Sequence, residues 1–493
     1  MSSVSKQLNS QPVHISSFVD GEWVAKSGEL QLDTNPARPA EVVATYALAG
    51  AGELEHALVA ASRAFGTWRS TPLQERAAVL SRAAALLEER AGEIAVELTR
   101  EQGKTLAESH GELRRTSEIL RFNASLATAA QGELYGSPRR GEQIWTTRVP
   151  LGPTAIITPW NVPIAIPTWK IAPALLYGNT IIWKPSMLVP LLAYRLMQAL
   201  ADAGLPDGVC NLLLMDSALG EKLMTDKRIR ACSFTGSTKV GRRLVELGAQ
   251  NGVKVQAEMG GKNAAIVLED ADLEWAVDQV LSGAMYSTGQ RCTATSRALV
   301  SRACVDEFTE KLLQRVSKLR VGDPLDKHTE IGPLASAEQK RSVLHYFELG
   351  NTKGSAVLIG GSAIETESGG HYVAATVVSG ATVGHPVFDE EVFGPMLAVV
   401  PIDSVDEAIE LANHGSYGLS AAIFSRNIER ILGAIDKLDV GVVHVNSETC
   451  GADPHVPFGG VKESGTAHRE MGTAARDFYT EMKTVYLRGN RLM

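Results

Sequence analysis

"FTGSTKVG", residues 234–241, follows the apolar run "RACSFT" (230–235) and sets glycines and hydroxyls where a strand gives way to a helix. A helix that starts directly after a strand is half of a βαβ unit. The first N–H groups of such a helix have no partner inside it, and its dipole is positive there. Gly236, Ser237 and Gly241 can therefore receive a pyrophosphate. Taken alone, GSxxxG also marks an ordinary helix cap, and the GxGxxG of the usual dinucleotide turn is absent.

Outward from this stretch the same alternation recurs. The β-rich runs "TAII" (154–157), "TIIWK" (180–184), "VCNLLL" (209–214) and "VKVQAE" (253–258) are separated by helix-length segments. Strands alternating with helices predict a parallel sheet covered on both faces. A second series, "SRALVS" (296–301), "SAVLI" (355–359), "MLAVV" (396–400), "LSAAIF" (419–424) and "GVVHVN" (441–446), predicts a second α/β domain. Residues 53–100 read as helical, with Leu80, Ala84 and Leu87 at i, i+4, i+7 and with Ile94 and Leu98 continuing the stripe. "IWTTRV" (144–149) and "KTVYLR" (483–488) fit neither series and could pair outside both sheets; an edge left open there would suit a subunit contact.

The bulk numbers agree with a large globular chain. At 493 residues it exceeds what one core organises, so two or three domains are expected. Apolar residues make up 44% and charged residues 21%, which excludes disordered and fibrous classes. A net charge of −8 supplies no basic field for a phosphate backbone, so nucleic acid is not an expected partner. The N-terminus shows no secretory pattern. The most apolar region, residues 149–183, is interrupted by six prolines and Lys170, so no membrane span is expected. Five cysteines without a CxxC pair point to a reducing, cytoplasmic compartment, and eleven histidines without ligand spacing point to no metal.

Three residues suggest chemistry. Cys292 lies in "YSTGQRCTATSR" (286–297), among glycine and hydroxyls rather than packing residues. A free thiol has a pKa of about 8.5, so a nucleophile there needs activation; the same residue could be a buried filler. Glu258 ends a strand before "MGGKN" and could be a base that activates water, or a strand-end carboxylate in a salt bridge. Asn161, in "ITPWNVP" (157–163), could offer its amide to a developing oxyanion, or could simply occupy a turn.

The ordered set PWN, WKPS (183–186), FTGSxxxG, ExGGK, GQxC, "EEVFGP" (390–395) and "PFGGVKESG" (457–465) resembles the NAD(P)-dependent aldehyde dehydrogenase superfamily over essentially the whole chain. The resemblance implies an α/β aldehyde dehydrogenase fold in three parts. Residues 1–127 and 150–258 would form a Rossmann-like NAD(P)-binding domain, 259–463 the catalytic domain, and 128–149 with 464–493 a β-strand oligomerisation element of a homodimer or homotetramer. It implies that Cys292 attacks an aldehyde, that Asn161 and the Cys292 N–H hold the oxyanion, and that Glu258 activates water to release the acid from a thioester. The cofactor, NADP or NAD, would meet Ile157, Thr158, Pro159, Trp160, Lys184, Ser186, Met187, Gly220, Gly236, Ser237, Gly241, Glu391 and Phe393.

Two positions depart from the pattern. Met187 stands where NAD-preferring members usually carry a ribose-binding glutamate, so NADP should be tolerated. Val162 replaces a common aromatic and should widen a substrate tunnel walled by Trp169, Thr293 and Phe458. "AIPTWKIAPALLYGNT", "YSTGQRCTATSR" and "HVPFGGVKES" resemble α-ketoglutarate semialdehyde (2,5-dioxopentanoate) dehydrogenases, and Arg291 is the expected anchor for the distal carboxylate, its alternative being a structural ion pair. Succinate semialdehyde and aromatic or aliphatic aldehydes remain alternative substrates. From other classes, release by coenzyme A or a cysteine-dependent esterase or thioesterase using Cys292 and Glu258 alone are the competing readings.

Overall fold

The fold is taken from a computed structural model, which describes residues 11–24 and 29–489. Two seven-stranded sheets organise it. The first runs, across the sheet, Lys254–Glu258, Ala231–Thr235, Pro153–Ile157, Thr180–Lys184, Cys210–Leu212, Ser17–Val19 and Glu22–Val24. Its first five strands are parallel. They are the β-branched runs read from the sequence, and Ile156, Ile181, Ile182 and Trp183 are completely buried because helices cover both faces.

Ranked by chain order, these five strands stand 5-4-1-2-3, the order of a dinucleotide-binding sheet. The order reverses between Pro153–Ile157 and Ala231–Thr235. A crevice opens beyond the carboxyl ends of strands at such a reversal, and here it receives Thr158–Asn161 on one side and Gly236–Ser237 on the other.

The second sheet runs Ala356–Ile359, Thr376–Ser379, Met396–Ile402, Thr295–Ser301, Asn263–Val267, Ser420–Phe424 and Val442–Val445. All neighbours are parallel except the first pair. Asn263–Val267 and Thr376–Ser379 lie outside the expected series. The former begins so soon after Glu258 that the two strands read as one motif.

The region expected to be helical over 53–100 is three helices, Ala51–Trp68, Leu73–Glu89 and Ala91–Gln102, followed by Leu106–Ser125. Pro72 and Arg90 stand at the breaks. The two pieces that fit neither series pair with each other. Glu142–Pro150 and Thr480–Arg488 are antiparallel along their whole length, and Leu134–Tyr135 adds a short third strand. Residues 464–479 do not join that small sheet. They close on the first large sheet, where Met259 N donates to Ser464 O at 2.8 Å and Thr466 N to Ala257 O at 3.0 Å. Among the described residues no helix is long and apolar enough to cross a membrane.

The two large sheets meet end to end. The chain leaves Lys254–Glu258 at its carboxyl end and, after Met259–Lys262, begins Asn263–Val267. The carboxyl edge of the first sheet therefore faces the amino edge of the second.

Candidate active site

A cleft of about 240 Å³ lies at that junction. The first sheet supplies Pro159, Trp160 and Asn161 beyond one strand and Gly236 and Ser237 beyond its neighbour. The second supplies Cys292, Glu391 and Phe393 from segments that lead into Thr295–Ser301 and Met396–Ile402.

On the first sheet's side, Ser237 is the N-cap of helix Thr238–Asn251 and makes no side-chain capping bond, which leaves its hydroxyl unclaimed. A Cβ on Gly236 would lie 2.6 Å from the Phe234 ring, and one on Gly241 would lie 2.5 Å from the Met259 sulfur. Only glycines let the helix start this close to the sheet, so the cradle fits a pyrophosphate. Lys184 ends its strand half-buried, and burial lowers the pKa of its ammonium group. Its stem runs past Gly220, where a Cβ would come within 3.0 Å. Ile157 and Thr158 are fixed beside it: Thr158 N donates to Lys184 O at 3.1 Å, and its hydroxyl accepts from Trp183 Nε1 at 2.9 Å. The Ser186 hydroxyl accepts from Leu188 N at 3.3 Å. Met187 packs against the core of the first sheet, so this position presents no carboxylate.

On the second sheet's side, Glu391 accepts a hydrogen bond from Gly261 N at 2.9 Å. Burial pushes its carboxyl up to about 7. Phe393 holds φ at 54°, a backbone state that a bulky side chain rarely adopts. Gln339 Nε2 donates to its carbonyl at 2.8 Å, and its ring meets Trp160 edge to face at 5.4 Å.

Cys292 is partly exposed in the cleft and packs against an apolar cluster containing Trp169, Leu419 and Phe458. Burial, together with the carboxylates of Glu391 and Glu258, pushes its thiol pKa up, while the Thr293 N–H opposes the shift. Asn161 Nδ2 donates to Gln290 O at 3.0 Å, two residues before Cys292. The second hydrogen of that amide stays available on the cleft side. Glu258 is completely enclosed. Its Oε2 accepts from Gly460 N at 3.1 Å, while Oε1 is buried with no partner. Burial first, and then the nearby Glu470 carboxylate, hold Glu258 well above the ordinary carboxylate range.

A partly exposed thiol, an amide donor and an enclosed carboxyl group thus converge beside a phosphate cradle. The chain matches the aldehyde dehydrogenase family over residues 23–485. It is 42% identical over 475 residues to the alpha-ketoglutaric semialdehyde dehydrogenase of Bacillus subtilis (strain 168), covering 96% of this chain and 97% of that one. This chain belongs to the aldehyde dehydrogenase family. It is an NAD(P)-dependent oxidoreductase acting on aldehydes. The 2,5-dioxopentanoate dehydrogenase of Saccharolobus solfataricus is 40% identical, with 94% of this chain and 98% of that one covered. Among solved structures, betaine aldehyde dehydrogenase from Staphylococcus aureus in complex with NAD+ superposes with a TM-score of 0.93 at 32% identity, over 97% of this chain and 95% of that one.

Several residues that shape this dehydrogenase site carry no sequence signal of their own. Asn263 holds the Cys292 backbone: its Nδ2 donates to Cys292 O at 2.8 Å and to Ala294 O at 2.9 Å, and its Oδ1 accepts from Ser420 N at 3.0 Å. Lys170 and Glu470 form a buried ion pair beside Glu258, and Lys170 also reaches Ser233 Oγ at 3.1 Å. They are 300 residues apart, so nothing local in the sequence could join them. Trp169 and Phe458 pack together, with ring centroids 5.9 Å apart. Thr293 is buried, and its carbonyl accepts from Thr449 Oγ1 at 2.7 Å. Val162, half-buried, stands outside the apolar cluster around Cys292.

Arg291 is bound at a helix end. Its guanidinium donates to Ser282 O at 2.8 Å and Gly283 O at 3.2 Å, capping helix Leu273–Met285, and lies 3.9 Å from Glu448. The carbonyl-rich end of a helix attracts a cation, so these contacts favour the structural alternative over the carboxylate anchor. Arg291→Met should accordingly lower Tm by several degrees while KM for a carboxylated aldehyde changes less than about threefold. Thermal unfolding and steady-state kinetics on the same preparation check both parts.

Proposed function

We propose that the chain oxidises a dicarboxylic semialdehyde, foremost α-ketoglutarate semialdehyde, to the acid with NADP or NAD through a covalent Cys292 intermediate. The substrate reading is supported chiefly by the agreement of relatives at 40–42% identity, each matched over 94% or more of this chain and named for that semialdehyde.

In this reading Cys292 gives up its thiol proton to solvent, Sγ bonds to the aldehyde carbon as the carbonyl π bond opens, and the carbonyl oxygen takes up that electron pair as negative charge. Asn161 Nδ2 and the Cys292 N–H donate to that oxygen, charge stabilisation that in comparable sites is worth about 10²–10³ in rate. The bound cofactor supplies the hydride acceptor. Glu258 then takes a proton from the water that attacks the thioester. The acid leaves, and Cys292 regains its thiol. The enclosed, partnerless Oε1 of Glu258 supports this, because an oxygen already satisfied by the protein would have little reason to take a proton from water.

The protein would act as a homodimer or homotetramer. Thr480–Arg488 leaves one edge unpaired and exposes Met482, Tyr486 and Leu487. All five cysteines are free, which fits the cytoplasm.

Initial rates of cofactor reduction over a panel of α-ketoglutarate semialdehyde, succinate semialdehyde, benzaldehyde and a medium-chain aliphatic aldehyde test the substrate. We expect kcat/KM to be at least about tenfold higher for α-ketoglutarate semialdehyde, a transition-state preference of about 1.4 kcal/mol. Equal rates with the neutral aldehydes would sink the semialdehyde reading.

Because the Glu258 carboxyl is held above its ordinary range, its basic form appears only as pH rises. Deacylation should therefore speed up with pH and reach its midpoint above the usual carboxylate range. In Glu258→Gln the first-turnover burst of reduced cofactor should survive while steady-state turnover falls by about 10²-fold or more and loses that pH limb. Loss of the burst itself would move this residue to the acylation half.

Met187→Glu should shift the cofactor ratio toward NAD by about tenfold, since a carboxylate beside the ribose repels a 2′-phosphate. Competition kinetics with NAD and NADP measure it, and an unchanged ratio would place selectivity elsewhere.

A further inference from the structure

The turn that carries Asn161 has one local backbone bond, from Ile166 N to Val162 O at 3.2 Å, and is otherwise held from outside. It hangs between strand Pro153–Ile157 and helix Ala165–Leu176, contains Pro163, and leads into a helix whose N-cap, Ile164, has no side-chain oxygen to offer. The uncapped N–H groups at that helix start are satisfied from another element. Glu112, on helix Leu106–Ser125, accepts through Oε1 from Ile164 N at 2.9 Å and from Ala165 N at 3.2 Å. Its other oxygen accepts from Lys104 Nζ at 2.5 Å, and Lys104 Nζ also donates to the backbone carbonyl of Asn161 at 3.0 Å.

The two side chains therefore close a ring from the carbonyl of Asn161 through Lys104 and Glu112 to the N–H groups of Ile164 and Ala165. The ring sits in the interior: Lys104 is 5% exposed, Glu112 7% and Asn161 6%. A hydrogen bond from Lys104 N to Gln102 Oε1 at 3.0 Å anchors its outer side. A buried ion pair is not a source of net stability compared with apolar residues of the same size, because desolvating both charges offsets their attraction. This pair stabilises one geometry of one turn, and of the cleft-lining residues on that turn, Pro159, Trp160 and Asn161, it is Asn161 whose carbonyl Lys104 holds.

We infer that Lys104 and Glu112 are positioning residues for the oxyanion donor, acting on the acylation step through Asn161. The inference rests on the role proposed for Asn161, and its test separates the two. The single-turnover rate of cofactor reduction, with enzyme in excess over α-ketoglutarate semialdehyde, would be measured for the wild type, Asn161→Ala, Lys104→Met, Glu112→Gln and the double variant Lys104→Met/Asn161→Ala. Tm and the Kd for NADP would be measured beside it.

Asn161→Ala should slow the single turnover by about 10²–10³-fold. Lys104→Met and Glu112→Gln should each slow it by about tenfold or more, with the Kd for NADP within about twofold of the wild type. In the Asn161→Ala background, Lys104→Met should change the rate by less than about twofold, because two residues that act through one donor are not additive. A full Lys104→Met effect in that background, or an unchanged rate in Lys104→Met alone, overturns the positioning role. A normal rate in Asn161→Ala instead overturns the oxyanion assignment on which the role rests. Glu112→Gln keeps the shape and one acceptor oxygen while removing the charge. It carries the test, paired with Asn161→Ala in the same way, if Lys104→Met does not fold.

Discussion

Everything at the site depends on how closely two backbones approach at Gly260 and Gly261. A Cβ on Gly261 would stand 2.5 Å from Cys292 O, and one on Gly260 would stand 2.3 Å from Glu391 Oε2. At Gly261 the obstacle is backbone, so the Cys292 loop can rest against the link between the sheets only because that Cβ is missing, whereas at Gly260 a side chain would make the Glu391 carboxylate swing aside. Gly261 then donates its N–H to Glu391, and Asn263, two residues on, grips the Cys292 carbonyl. A short link of this kind converts two separately stable sheets into one cleft. It also fixes which ends face each other: the carboxyl edge of the first sheet meets the amino edge of the second.

That geometry places two acidic groups at the junction. Glu258 is enclosed and Glu391 is half-buried at the cleft, and burial raises both carboxyls, Glu391 to about 7. Lys262, buried between Arg297 and the acidic segment that carries Glu391, is pulled the other way, to about 7. Groups poised near neutrality can change protonation at little cost, which suits the proposed cycle, in which a thiol and a water each lose a proton. In the neighbouring Lys170–Glu470 pair the Glu470 carboxylate adds to this displacement of Glu258, while the Lys170 ammonium opposes it.

The fold was legible wherever a strand was β-branched and bounded by helix-length spacers, as in "TIIWK" and "MLAVV". Asn263–Val267 was missed because Gly260 and Gly261 make so short a link that no spacer separates it from the strand before. The N-terminal strands Ser17–Val19 and Glu22–Val24 are too short to set up a period. At the site, Cys292, Glu258 and Asn161 were visible because each sits in a motif of unusual local composition. The contacts of Arg291 were not legible because adjacency in sequence to Cys292 says nothing about side-chain direction: Cys292 lines the cleft, whereas the Arg291 guanidinium donates to a helix end. Lys104, Glu112, Lys170, Asn263 and Glu470 look like ordinary polar residues in sequence. Their roles exist only through contacts that cross between elements.

Backbone strain follows the same division between the sheets. The first sheet delivers its groups from strand ends and a helix start, with no positive φ among Thr158–Asn161 or at Ser237. The second delivers its groups through strained segments: Ser287 and Thr288, both at φ 54°, precede Cys292, and Phe393, also at 54°, follows Glu391. Such conformations each cost about 1–3 kcal/mol and persist only where the surroundings over-determine them. Here they are over-determined from outside the segments themselves, by Glu108 accepting from Ser287 N at 2.6 Å, by Gly332 O accepting from Thr288 Oγ1 at 3.1 Å, and by Gln339 holding the Phe393 carbonyl. The first sheet can thus present its groups without positive-φ strain, whereas the strained segments of the second must be held by named side chains from distant parts of the chain. That asymmetry follows from using the amino edge of a parallel sheet, because the segments leading into neighbouring strands have to turn sharply to present a thiol and a carboxylate to one point.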